Sequence, residues 1–161
     1  MAKMNPEHIK ALLELINHSP YFELLAMRVC ALNIGYSRVE VELSNQHMNP
    51  FGAIHGGVYS SIIDTAAYWS AYCEVDEHVG FTSIDVSVNN LSMINSGKII
   101  VEGKSIKVGR SLCVTEAVAK DSGGKLLAQG TSKLMILHGK QSVHDAIKAM
   151  GHKELPPKFI D

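Results

Sequence analysis

Between Val58 and Cys73 the chain is almost continuously apolar or small, and Asp64 is its one charged side chain. The run is long enough for a helix and too poor in charge to face water, which predicts a buried central helix. Ahead of it, Pro6 to Asn17 sets Ile9, Leu12, Leu13 and Ile16 at helical spacing, with Pro6 suited to a first turn. Ser19-Pro20 ends that helix. Residues from about 22 to 43 read as extended pieces, because Val39, Val41 and Leu43 alternate with Glu40, Glu42 and Ser44 as in a half-exposed strand. Asn45 to Ala53 reads as loop. After a link from Glu74 to Gly80, Ile84, Val86 and Val88 alternate with Asp85, Ser87 and Asn89. Strands are predicted near 97–108, 111–120 and 125–137, the last two joined by a hairpin turn at Asp121-Ser-Gly-Gly124.

These elements predict an α+β domain with helices on one face of an antiparallel sheet. No linker, repeat or low-complexity stretch divides the chain, so residues 1–161 read as one domain: an N-terminal helix (about 6–17), a core (about 20–138) and a tail (139–161). In the tail, Val143 to Met150 fits a short helix with Ser142 as cap and Gly151 as stop. Pro156-Pro157 discourages further regular structure. The tail is expected to pack on the sheet or fray, and no function attaches to it.

The chemistry concentrates where the central helix begins. Asn49-Pro-Phe-Gly-Ala-Ile-His55-Gly56-Gly57 leads into that helix, with Asp64 inside it. The first N–H groups of a helix have no intrahelical partners and carry its positive dipole end, so they suit an anion or a developing oxyanion. The plainer account is a Gly-Gly turn, a loop-fixing His55, and an Asp64 hydrogen-bonded to Ser60, Ser61 or Thr65. A carboxylate on an apolar helix costs several kcal/mol unless well paired, however, and so points toward function. Gly57 and Asp64 fall on nearly one helix face but ~10 Å apart along the axis, at ~1.5 Å per residue. One helix cannot bring both to a single carbonyl; two copies, antiparallel across a dimer, can.

Composition excludes more than it suggests. With 15 basic and 16 acidic residues and a net charge of −1, nothing invites nucleic acid or an anionic membrane. Cys30, Cys73 and Cys113 form no CxxC pair and read as reduced thiols of a cytoplasmic protein. Met-Ala-Lys-Met-Asn-Pro-Glu-His has no apolar signal core. The eight histidines lack HExxH or zinc-finger spacing, no GxSxG elbow occurs, and Ser122-Gly-Gly-Lys125 is a turn rather than a phosphate loop. No metal is expected. Met27, Met48, Met93, Met135, Tyr68, Trp69 and Tyr72 read as core, although Tyr68, one turn beyond Asp64, shares its face and is a candidate for the substrate pocket.

Asn49, Gly52, His55-Gly56-Gly57 and Asp64 together resemble the signature of hotdog-fold acyl-CoA thioesterases of the PaaI-like, phenylacetate-degradation type. The similarity runs on through Thr82-Ser83-Ile84-Asp85-Val86, Lys107-Val-Gly-Arg110-Ser111 and Gly123 to Gly130, covering about residues 20 to 138. The resemblance implies a long central helix wrapped by an antiparallel sheet. It implies that Gly57 N–H polarises the thioester carbonyl and that Asn49 positions the thioester or water. Asp64, from the partner subunit, is the implied base or nucleophile. Ser83 orients water, with Thr82 as the neighbouring alternative; Gly56 and His55 complete the loop. The family binds the coenzyme A nucleotide near the turn matching Lys107, Arg110 and Ser111, where guanidinium suits phosphate; a solvated hairpin is the even alternative. The implied substrate is an acyl-CoA and the implied assembly a homodimer or dimer of dimers. No cofactor is needed beyond the coenzyme A of the substrate. A hotdog hydratase or dehydratase is the nearest alternative, with His47 as its candidate histidine. A non-catalytic acyl-CoA sensor is the alternative from another class.

Overall fold

The protein is described here by a computed structural model covering residues 3–161; Met1 and Ala2 lie outside the described residues. In chain order the elements are β1 (Lys3–Met4), α1 (Pro6–Ile16), α2 (Pro20–Leu24), β2 (Met27–Asn33), β3 (Tyr36–Glu42), α3 (Gly56–Ser70), β4 (Val79–Asn90), β5 (Lys98–Val108), β6 (Leu112–Asp121), β7 (Leu126–His138), α4 (Val143–Met150) and β8 (Phe159–Ile160). Six strands make one antiparallel sheet in the order β2-β3-β5-β6-β7-β4, and β1 pairs with β8 in a separate ribbon. The sheet wraps α3, which touches all six of its strands. This is the α+β arrangement expected of the chain.

The close fit of α3 rests on small residues opposite it. Ser37 Oγ donates to Ala66 O at 2.5 Å. A Cβ added at Gly103 would sit 2.1 Å from the same carbonyl, and one at Gly130 would sit 2.8 Å from Ile63 Cγ2. Around this contact Ile62, Ile63, Ala66 and Ala67 pack against Val39, Val41, Ile99, Val101 and Ala119, all completely buried. Burial of this kind supplies the main drive to fold, about 25 cal/mol per Å² of apolar surface.

The N-terminal helix appears where its periodicity places it. Asn5 caps it by accepting from Glu7 N–H, and Pro6 fills the first turn. At its other end Asn17 imitates a strand neighbour, bonding both the N–H and the C=O of Val29 on the edge strand β2. Pro20 ends nothing further; it opens α2, which the pattern placed in an extended region. The central helix stops at Ser70 rather than Cys73, and Tyr72–Glu74 tighten into a 3₁₀ turn. The turn at Asp121 forms as expected, with Asp121 Oδ1 accepting from Gly123 and Lys125 N–H and Gly124 at φ +88. Strand β4 departs from its alternation. A bulge between Ser83 and Asp85 shifts the register, and Ile84 and Val86 of this edge strand are 52% and 38% exposed.

The tail starts against strand β4, where the backbone of residues 140 and 141 lies close to Gly80, and then turns back to α1. Helix α4 has its expected cap, a box in which Ser142 and Asp145 satisfy one another's backbone, and its expected stop at Gly151. Beyond Pro156-Pro157 the chain returns to α1: Pro156 O meets His8 Nδ1 at 2.6 Å and Pro157 O accepts from Asn5 Nδ2 at 2.8 Å. Lys158 is completely buried. Its ammonium donates to Tyr72 O and Val75 O, both at 2.6 Å, and sits 3.8 Å from the centre of the Tyr72 ring. A cation thus closes the 3₁₀ turn that follows the central helix. Burial depresses the Lys158 pKa to about 8.

Lys158→Met, which keeps the stem and removes the donors, is expected to lower stability by roughly 1–3 kcal/mol, because Val75 O is left unpaired among the described residues and Tyr72 O keeps only the 3.5 Å bond from Val75 N–H. Because the folded pKa lies below the unfolded one, the unfolded chain binds more protons in that interval, and the native protein gains on the variant as pH rises. Denaturant midpoints at about pH 7 and about pH 9.5 should therefore show a wider gap at the higher pH.

Candidate active site

His55 is the N-cap of α3 and its ring Nδ1 accepts the Gly57 N–H at 2.8 Å. An accepting Nδ1 leaves the proton on Nε2, the tautomer that this hydrogen bond requires. Val58 N–H goes to His55 O, while Gly56 N–H has no hydrogen-bond partner among the described residues. The loop before the helix is braced by Asn49, whose Oδ1 accepts from Phe51 and Ala53 N–H at 2.9 and 3.2 Å and whose Nδ2 reaches Ile54 O at 3.4 Å. For a substrate carbonyl to receive the Gly57 N–H, the exposed His55 ring has to rotate aside.

One face of α3 carries Gly57, Ser60, Ser61, Asp64 and Tyr68, and this face alone is left partly open by the sheet. The hydroxyls nearest Asp64 do not bind it. Ser60, Ser61 and Thr65 each turn back to the carbonyl four residues earlier, at 3.4, 2.9 and 2.8 Å. The partner of Asp64 is Ser83, whose Oγ donates to Oδ1 at 2.8 Å from strand β4. The β4 bulge follows immediately, and this contact places Ser83 rather than Thr82 on the carboxylate. No cationic side chain pairs with Asp64 among the described residues. Burial therefore raises its pKa above the ordinary carboxylate value, and the Ser83 hydrogen bond offsets only part of that rise.

Asp64 opens into a cavity of about 630 Å³. Ser61, Thr65, Tyr68 and Trp69 of α3 form its floor, with Ile16 of α1, Tyr21 and Phe22 of α2, Val86 of β4, and Ala146 and Met150 of α4 around it. Tyr21 reaches over the rim to Ser61 Oγ at 2.6 Å. Tyr68 donates to Phe81 O at 3.5 Å, and burial pushes its phenol up to about 12. No Lys, Arg or His lines the space. The α2 and α4 residues carry no chemical motif in the sequence. The signals available for them were the aromatic pair after Pro20 and the apolar spacing of Ala146 and Met150.

Other expected site residues lie elsewhere in the chain's own structure. Arg110 borders a separate cleft with Glu74, Asp76 and His138, and neither Lys107 nor Ser111 lines the Asp64 cavity. Thr82 also lies outside that lining, and Gly56 faces Asn90 on a third surface. His47 is buried, its ring held between Leu25 O at 2.6 Å and Ser44 N–H at 3.0 Å. Both nitrogens are thereby committed to fixing the loop.

A sequence-family profile described as the thioesterase superfamily matches residues 51–128. An Archaeoglobus fulgidus protein, provisionally named an esterase, is 30% identical over 114 residues, spanning 68% of this chain and 71% of the relative. Human acyl-coenzyme A thioesterase 13 is 26% identical over 128 residues, spanning 77% of this chain and 88% of the relative. Among solved structures, a thioesterase from Haemophilus influenzae superimposes with a TM-score of 0.76 at 21% identity, covering 82% of this chain and 92% of that one. At that identity the superposition speaks for the fold alone.

The raised pKa of Asp64 has a consequence for stability. A folded carboxyl that holds its proton more tightly than the unfolded one stabilises the fold at low pH, and that contribution is lost as pH rises through the interval between the two values. Asp64→Asn keeps the acceptor for Ser83 and removes the buried charge. It should melt above the native protein at neutral pH, with the difference closing as pH falls below the ordinary carboxylate pKa; thermal scans across that range measure both.

Proposed function

Because the chain belongs to the thioesterase superfamily, we propose that it hydrolyses an acyl-CoA thioester, with Asp64 as the group that activates water or attacks the carbonyl itself. The observation that carries this reading is a desolvated carboxylate, unpaired with any cation and hydrogen-bonded to one serine, at the mouth of an apolar cavity. In the water route, Asp64 takes a proton as the water oxygen bonds to the thioester carbon. The carbonyl oxygen gains charge beside the helix N-terminus, where Gly57 N–H, released by His55, and Gly56 N–H are its donors. The C–S bond then breaks, and the coenzyme A thiolate receives the proton. Ser83 fixes the carboxylate, and no cofactor enters the scheme.

The ~10 Å along the helix between Gly57 and Asp64 supports a site shared between two subunits. Strand β4 supports it too: it is a long sheet edge, with Ile84 and Val86 exposed beside the Asp64 cavity. Pairing two copies along this edge would cover that apolar surface and bring a second loop toward the cavity. Arg110 and Lys107, remote from Asp64 in one chain, would then have to serve the nucleotide across the assembly. A hydratase reading loses its support, since the His47 ring is buried and doubly bonded.

Free-thiol release from a panel of acyl-CoA substrates tests the activity. Asp64→Asn is expected to lower turnover by at least ~10². In the native protein kcat/KM should fall on the acid side with a midpoint above the ordinary carboxylate pKa, because only the charged form acts as a base; the variant's residual rate should lack that limb. Normal turnover in folded Asp64→Asn would remove the assignment.

Subunit sharing is tested by mixing. Asn49→Ala unbraces the loop and Asp64→Asn removes the carboxylate, so each homodimer should be nearly inactive. Refolding an equal mixture gives about half mixed dimers, each with one intact site of two, and activity near a quarter of native is expected. No gain after verified exchange would place the whole site within one chain.

A further inference from the structure

Helix α4 lies between two spaces and turns different residues to each. Val143 and Ile147 border a small cleft with His8, and Val143 also packs on the main core. Ala146 and Met150, three and seven residues on from Val143, line the Asp64 cavity instead. Both are half-buried, and neither joins a hydrophobic core cluster of the molecule. Their apolar surface therefore faces the cavity. The chain is tied to the body on both sides of the helix, by Gly139 N–H on His78 O before it and by the buried Lys158 after the turn at Gly151.

We propose that α4 is the far wall of the acyl cavity and that Ala146 and Met150 set how long an acyl chain it accepts. This rests on the thioesterase reading of Asp64. The occupant is a neutral hydrocarbon acyl group, for two reasons. No cationic side chain lines the cavity, so a carboxylate at the far end of an acyl chain would be buried there with no counter-charge. Ile16, Phe22, Val86, Ala146 and Met150 of its lining offer dispersion and desolvation but no side-chain hydrogen bonds to a polar tail. Within such a space each added methylene strengthens binding about fourfold until the chain reaches α4. At that point the Met150 side chain stops it.

Trp69 is the chain's only tryptophan and lines the same cavity, so occupancy has a readout independent of turnover. Straight-chain 1-alkanols of increasing length, which carry no charge to oppose Asp64, are titrated against Trp69 emission in the native protein, Met150→Ala and Ala146→Leu. The kcat/KM of each protein is measured on saturated acyl-CoA of matching lengths. In the native protein, affinity should climb about fourfold per carbon and then level off. Met150→Ala should move the levelling point to longer chains, and Ala146→Leu should move it to shorter ones. Opposite shifts from two substitutions on one helix face do not arise from loosened packing alone. The proposal is overturned if the levelling point is the same in all three proteins, or if no alkanol alters Trp69 emission. Opposite shifts in binding without hydrolysis of any acyl-CoA would uphold the wall and overturn the thioesterase reading.

Discussion

The contact on which the rest depends is the near approach of the central helix to the sheet at Ala66. There the Ser37 hydroxyl and the bare backbone of Gly103 let the strands meet the helix backbone itself. A helix seated that deeply is enclosed by strands over most of its circumference and keeps one narrow strip free. Asp64 lies on that strip. Its environment is therefore set by the packing: apolar walls on the cavity side, helix hydroxyls turned away to their own carbonyls, and one serine within reach. The same seating that supplies most of the folding drive also keeps this carboxylate short of solvent and raises its proton affinity.

Much of this was legible in the sequence, because the relevant signals are local. The central helix announced itself by its lack of charge, α1 by its spacing, the 121–124 turn by Asp and Gly, and α4 by Ser142 and Gly151. What escaped was decided by tertiary context. Pro20 fits the end of one helix and the start of another equally well, and only packing chose the second. The bulge after Ser83 leaves no mark on the alternation of β4, yet it settles which hydroxyl meets Asp64 and turns Ile84 and Val86 outward. The partner of Gly57 N–H was equally hidden. A histidine before two glycines reads as a loop residue, and its ring turns out to cap the very donor that the motif offers.

His55 also separates two demands made on one position. As an N-cap it contributes the usual ~1 kcal/mol to the start of α3. Under the proposed mechanism it also stands where a carbonyl oxygen would bind the Gly57 N–H. A cap on the exposed side of the helix, able to turn on a single side chain, is compatible with both demands. The buried His47 ring, which accepts the Ser44 N–H at the start of its 3₁₀ turn, has no such freedom.

The tail's return to α1 imposes an order on the assembly of the molecule. Asn5 N–H bonds Lys158 O, the ring of His8 bonds Pro156 O, and Lys3 stands opposite Ile160 in the β1–β8 ribbon. On a ribosome, α1 thus lacks these partners until residues 156–160 have emerged, although domains generally fold as their chain appears. Strand β4 meets the same delay on a smaller scale, since its one neighbour in the sheet, β7, is the last of the six strands to be synthesised. Strands β2, β3 and β5 and helix α3 are made before β7 or the 156–160 segment, and so can associate ahead of both. The contacts of residues 156–160 with α1 close only after that segment has been made.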